Sequence, residues 1–154
     1  MNKLRKFWLL EPWERRLFIQ SLLVLAVTGA ALRLVSFKRW QSILARIPPI
    51  KPAYDQQLVE MVAGRARATS RLVCAAAWHG PYHAKCLQQS ITLWWLLRRQ
   101  GIPSGLRFGS RKNAGLMEAH AWVEFDGAPL NDAIDVHQRF VPFEPYVRPA
   151  GVES

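Results

Sequence analysis

Apolar positions change period once along the chain, and that change sets the expected architecture. Upstream of Gly101 they recur at helical spacing, and downstream they alternate. Glu11-Pro12 marks a helix start, because proline is tolerated in a first turn. From Leu17 to Leu32 sixteen residues then pass without a charge, before Arg33 and the pair Lys38-Arg39. Ile47-Pro48-Pro49-Ile50-Lys51-Pro52 stops this helix and serves as a stiff connector. Asp55 to Arg71 reads as a second helix with Leu58, Val59 and Val62 on one face. Leu72 to Trp78 is its natural extension, and Gly80-Pro81 breaks the chain. Cys86 to Gln100, CLQQSITLWWLLRRQ, is the clearest helix. It is apolar on nearly every side after its first turn, so it is expected to be buried with Trp94 and Trp95 in the core. Gly101 follows it and Arg98-Arg99 suit its C-terminal dipole.

Beyond Gly101, Ser104 to Ser110 and Leu116 to Phe125 alternate as strands. Asp126-Gly127 is a hairpin signal leading into a third strand, Ala128 to Ile134. Helices followed by antiparallel strands predict an α+β fold, a helical N-terminal half packed on a small antiparallel sheet. Residues 1–47 form a basic and apolar helical segment and 53–148 the core, together one structural unit of single-domain size.

Composition sharpens this picture at the N-terminus. Half of the chain is apolar and it holds seven tryptophans, so disorder is expected only in the last residues, PAGVES. The net charge is +10, but residues 1–72 carry thirteen Lys/Arg against four Asp/Glu, and residues 73–154 eight against seven. The excess flanks apolar sequence and lines no groove of interleaved aromatics. Anionic lipid or an acidic partner is therefore favoured over nucleic acid. Sixteen apolar residues fall short of the roughly 20 that span a bilayer. A helix buried in the domain, a helix lying in the membrane interface through residues 1–40, and a true span all stay open. The two cysteines, Cys74 and Cys86, form no CxxC and no disulfide framework, which fits a reducing cytoplasmic setting, with membrane association left open.

Cys86 is the first residue to suggest chemistry. Unpaired N–H groups and the positive dipole end at a helix start favour thiolate over thiol, and Lys85 adds charge. Gln88, Gln89 and Ser90 surround that end while the apolar body anchors it. Cysteine is equally a common core residue, the reading given to Cys74 among the small apolar residues of RLVCAAAW. His120 tips the balance for Cys86, since a thiolate nucleophile needs an imidazole as ion-pair partner and proton carrier. His120, Trp122 and Glu124 share one face of an alternating strand. The imidazole in turn needs a group to fix its tautomer. Asp132 is the leading candidate, with Asn131 and Asp135 as alternatives, and the hairpin register decides. A three-residue loop, Asp126 to Ala128, sets Asp132 diagonally from His120, whereas a two-residue loop pairs it with Ala121 and turns it away. The oxyanion donors are the Cys86 backbone N–H and one of Trp78, His79 or Tyr82. Trp78, His79, Tyr82, His83 and Trp122 are the candidate substrate-binding residues. Zinc held by His79, His83, Cys86 and His120 is a competing arrangement, but Gly80-Pro81 interrupts any helical face and the spacing matches no common zinc pattern. His137 is expected to be exposed.

Together, the Arg-flanked N-terminal helix ending SFKRW, the segment KCLQQSITLWWLLRRQGIP, the strand LRFGS and EAHAWVEFDGAPLND resemble the transglutaminase-like cysteine hydrolases. Within them the chain is most similar to the lasso-peptide B2 proteins, stand-alone leader peptidases of lasso-peptide biosynthesis. The resemblance implies a transglutaminase-like, papain-like core with the nucleophile at a helix N-terminus. It implies that Cys86 attacks the bond joining leader to core in a ribosomally made precursor, with His120 as base and then acid and Asp132 as orienter. A small leader-binding protein of the RRE type would present the precursor. A lasso cyclase resembling asparagine synthetase would close the freed core, with ATP as its cofactor and none required by this chain. A non-catalytic scaffold and an acyltransferase using the same triad are the alternatives. One departure stands out: the longer strand and the glycine-tryptophan that precede the acid in many transglutaminase-like proteins are missing here.

Overall fold

The computed structural model of the protein describes residues 8–48, 58–80 and 84–147. Expectations for residues 1–7, for the connector from Pro49 to Pro52, for residues 55–57, for Pro81, Tyr82 and His83 and for the PAGVES tail fall outside these. The described elements are α1 (Pro12–Leu34), α2 (Phe37–Ala45), α3 (Val59–His79), α4 (Cys86–Arg99), β1 (Gly105–Asn113), β2 (Leu116–Phe125), β3 (Ala128–Pro129), α5 (Val136–Arg139) and β4 (Val141–Val147). The four strands form one antiparallel sheet in the order β3-β2-β1-β4. The fold is α+β, with the four longer helices preceding a small sheet and the short α5 set between β3 and β4.

α1 starts where its sequence places it. Glu11 caps it, and the Glu11 N–H donates to Glu14 Oε2 at 3.0 Å in a capping box, with Pro12 in the first turn. The helix does not run on to the proline connector. Val35 is extended (φ −120°, ψ 131°), and α2 follows as a separate helix that no glycine or proline announces. Trp40 Nε1 donates to the Ala31 carbonyl at 3.4 Å, tying α2 back to the end of α1.

α1 buries Leu17, Ser21, Leu25 and Thr28, one stripe at helical spacing, against α3 and α4. Leu17 belongs to the main core. Ser21 Oγ donates to the Leu17 carbonyl at 2.7 Å, and Gln88 Nε2 of α4 donates to the Leu25 carbonyl at 2.6 Å. A Cβ at Gly29 would lie 2.6 Å from that amide nitrogen, so glycine is what lets Gln88 lie across the helix.

Two expectations about the helices need correction. Leu58 caps α3 and is exposed, whereas Val59 and Val62 are half-buried on the stripe that continues through Ala63, Ala66, Thr69, Val73 and Ala76. The alanines on that stripe let the neighbouring helices approach closely. In α4, Trp94 is buried with Ile91, Leu93, Leu96 and Leu97, but Trp95 is 40% exposed. Even this apolar helix keeps one side to solvent. It ends as expected: Gly101 is left-handed (φ +71°), with Ile102 N–H on the Leu97 carbonyl and Gly101 N–H on the Arg98 carbonyl, both at 3.0 Å.

In the sheet, Asn113 pairs with Leu116 and Phe125 with Ala128. Both hairpin loops therefore hold two residues, Ala114-Gly115 and Asp126-Gly127, each with positive φ at both positions as a type I′ turn requires. The third strand, expected to reach Ile134, stops at Pro129. β4 was not foreseen, because Pro142 and Pro145 break a strand pattern; they are tolerated here because β4 pairs on one side only, with β1.

Candidate active site at the start of α4

The end of β3 leaves one side of β2 without a strand neighbour, and the site is assembled on it. At Val123 the hairpin still serves: its carbonyl accepts from Leu130 N–H and its N–H donates to Asn131 Oδ1, both at 2.8 Å. Two residues earlier, at Ala121, α4 takes over. Ser90 Oγ donates to the Ala121 carbonyl at 2.8 Å, and the Ala121 N–H hydrogen-bonds the Cys86 sulfur. Cys86 and Ser90 are four residues apart, hence on one side of the helix. Asn131 Nδ2 donates to Ser90 Oγ at 2.8 Å and closes the join. The first turn of α4 is thus fastened to β2 by side chains standing where another strand would be.

His120 precedes Ala121, and its ring meets both partners expected of it. The Cys86 thiol hydrogen-bonds it, and its Nε2 is hydrogen-bonded to Asp132 Oδ2, so an imidazole stands between a thiol and a carboxylate. Phe140 stacks on the ring with centroids 4.7 Å apart and 25° between planes; Trp122 lies 6.1 Å away, nearly parallel. Aromatic faces thus hold the imidazole in place. On Asp132, Oδ1 accepts from the Ala133 N–H at 2.7 Å and from Arg139 Nη2. Arg139 Nε in turn reaches Asp135 Oδ1 at 3.1 Å.

Asp132 meets His120 without the three-residue loop expected to place it there. The loop is the two-residue one, which by alternation would turn Asp132 from His120. Alternation ceases to apply at Leu130, because β3 has ended and the chain bends there. Asp132 comes back to His120 off the ladder, which is also why the acid can follow the hairpin so closely. Asn131 ties β2 to α4, and Asp135 reaches Asp132 only through Arg139, so neither alternative touches the imidazole.

The remaining candidates separate. Trp122 is fully buried and its Nε1 donates to Glu124 Oε1 at 2.7 Å, so it packs beside His120 and cannot meet a substrate. Glu124 is itself buried and also holds Arg107 at 2.9 Å and His137 at 3.1 Å; His137 is exposed, as expected, yet partnered. Trp78 and His79 close α3 and are exposed, while Tyr82 and His83 lie outside the described residues. Among the described residues no three His, Cys, Asp or Glu are grouped to hold a metal. Arg139 and Phe140 escaped sequence reading, although the Asp135/Arg139 spacing of four residues was a legible helical ion-pair signal.

The electrostatics follow from these contacts. The hydrogen bond to His120 is the largest influence on Cys86 and lowers its pKa. Burial opposes it, and the Ala121 N–H, the imidazolium charge and the Leu87 N–H act with it. Lys85, exposed beside it, is not among these causes. His120 is raised, first by its bond to Cys86 and then, against burial, by Asp132. For Asp132 burial is the largest single influence and upward, but His120, the Ala133 N–H and Arg139 together bring the carboxyl below its ordinary value. All three shifts favour the charged forms, a thiolate–imidazolium pair steadied by a carboxylate. Such a pair can attack an acyl carbon and hand a proton to the leaving group.

Residues 24–144 match the family model described as the transglutaminase-like superfamily, from within α1 into β4, with Cys86, His120 and Asp132 inside the match. No curated protein and no solved structure matches the chain.

Proposed function

The chain belongs to the transglutaminase-like superfamily, which includes cysteine proteases and acyltransferases, and on that footing we propose that it is a cysteine peptidase that removes the leader from a ribosomally made lasso-peptide precursor. The observation that carries the enzymatic part is His120 held between the Cys86 thiol and the Asp132 carboxylate. The choice of substrate is supported by the likeness of KCLQQSITLWWLLRRQGIP and EAHAWVEFDGAPLND to the lasso-peptide B2 proteins.

In this reading the Cys86 thiolate attacks the carbonyl carbon at the leader–core junction, and the developing oxyanion is met by the Cys86 backbone N–H, which at the helix start has no partner within the helix. His120 gives its proton to the departing core amine, leaving the leader as a thioester on Cys86. His120, now neutral, takes a proton from the water that attacks the thioester, and the sulfur leaves as the leader carboxylate is released. Asp132 keeps the ring oriented and favours its charged form. An RRE-type leader-binding protein would bring the precursor, and the freed core amine is the group that a lasso cyclase would join to a side-chain acid.

The test uses the precursor encoded beside this protein, with its leader-binding partner, incubated with wild type and with Cys86→Ala and read by mass spectrometry. Leader and core fragments from wild type alone are expected. Cleavage by both at equal rate would remove Cys86 from the reaction. A leader product joined to an added amine, in place of free leader acid, would reassign the activity to acyl transfer.

A further inference from the structure

α1 is built inside out. Its buried stripe contains Ser21 and Thr28, whereas Ile19, Leu23, Val27 and Leu34 on the far side are 48%, 63%, 68% and 86% exposed. Ala30 completes this outer stripe, which recurs every three to four residues and so forms one continuous face about 27 Å long from Arg16 to Leu34. Only 22% of the helix's most apolar 18-residue stretch is buried. Exposed arginines bracket the stripe, Arg16 at its start and Arg33 at its end. The surrounding sequence extends the charge: from Arg15 to Tyr54 there are seven Lys/Arg and no Asp or Glu.

Two occupants fit poorly. A second copy laid antiparallel on this face would set Arg16 against Arg33 of its mate. A transmembrane placement would tear Leu17 from the core, take Gln88 from the Leu25 carbonyl, and leave Ser21 and Thr28 facing lipid tails. We propose that α1 lies along an anionic lipid surface, with Ile19, Leu23, Val27 and Leu34 at the headgroup–acyl boundary and Arg16 and Arg33 on the anionic headgroups. The helix then has two loads, the core on one side and lipid on the other. This placement does not depend on the peptidase reading, because nothing in it involves Cys86.

The full chain would be floated with vesicles of phosphatidylcholine alone and of phosphatidylcholine mixed with phosphatidylglycerol. Cys86 alkylation, followed in parallel, reports on the fold. Wild type is expected to float with the anionic vesicles and not with the neutral ones, less as salt rises. Leu23→Glu with Val27→Glu should abolish flotation. Arg16→Gln with Arg33→Gln should weaken it about fivefold for each arginine lost. Failure of wild type to float, or equal flotation of wild type and both variants, would overturn the proposal. So would loss of leader-binding-protein capture, or of a concentration-dependent dimer, through the same substitutions without vesicle binding, because the face would then belong to that partner.

Discussion

Cys74 and Cys86 sit on adjacent packed helices and are both half-buried, yet their surroundings drive their thiols in opposite directions. Burial raises Cys74, and only a hydrogen bond with Ser70, one turn earlier in α3, opposes it. Burial presses on Cys86 as well, but there it loses. The difference is the supply of unspent donors. Cys74 is inside α3, where every nearby N–H is already committed to the helix. Cys86 opens α4, where the Leu87 N–H has no helical partner, and it adjoins Ala121, whose N–H no strand has claimed. Add an imidazole, and the same element is driven towards thiolate in one place and held as a thiol in the other.

The largest effect should come from deleting one thiol at a time. Cys86→Ala is expected to lower precursor cleavage by at least about 10⁴-fold, and Cys74→Ala to leave it unchanged, as product mass spectra would show. Next, His120→Ala should erase most of the contrast. In wild type the thiolate–imidazolium pair persists from the lowered pKa of Cys86 up to the raised pKa of His120. Cleavage should therefore follow a bell whose acid limb lies below the ordinary thiol value of about 8.5 and whose alkaline limb lies above the ordinary imidazole value. Without His120, alkylation of Cys86 should move up in pH towards that of Cys74. A smaller change is expected from Arg139→Gln, which leaves the triad whole but frees Asp132 on one side. A loss of up to about 10²-fold in kcat with KM little altered would mark Arg139 as a positioning residue. Least in activity, Gly109→Ala should cost about 1–3 kcal/mol and several degrees in Tm. Its Cβ would lie 2.9 Å from the Trp122 ring and 3.0 Å from the Val141 carbonyl. Because Trp122 lies alongside His120, the ratio of Cys86 to Cys74 alkylation should fall with it.

Much of the helical half was legible because local signals decided it: the Glu11-Pro12 cap, the apolar run of α4, and Gly101. The two long strands were equally plain from alternation. What escaped depended on contacts between distant residues. Leu58 fell off the contact face because α3 starts one residue after it, at Val59. The break at Val35 and the strand at Val141 are imposed by tertiary pairing against weak or contrary local preference. Cys86, His120 and Asp132 could be named from residue type and spacing, but the route by which Asp132 returns to His120 could not. It runs through a bend secured by the Asn131 side chain, to which alternation is blind.

The junction at Ala121 has a consequence for solubility. A half-paired β-strand is a template on which another chain can grow, and proteins commonly blunt such edges with charge, proline or a covering helix. Here the blunting is done by the start of α4: Cys86 and Ser90 occupy the amide and carbonyl that an incoming strand would need, and Asn131 occupies the next amide along. The arrangement that lowers the pKa of a thiol thus also denies aggregation a foothold. Substitutions that loosen the first turn of α4 carry a hazard of their own, because they uncover strand backbone in a crowded cell as well as silencing a thiol.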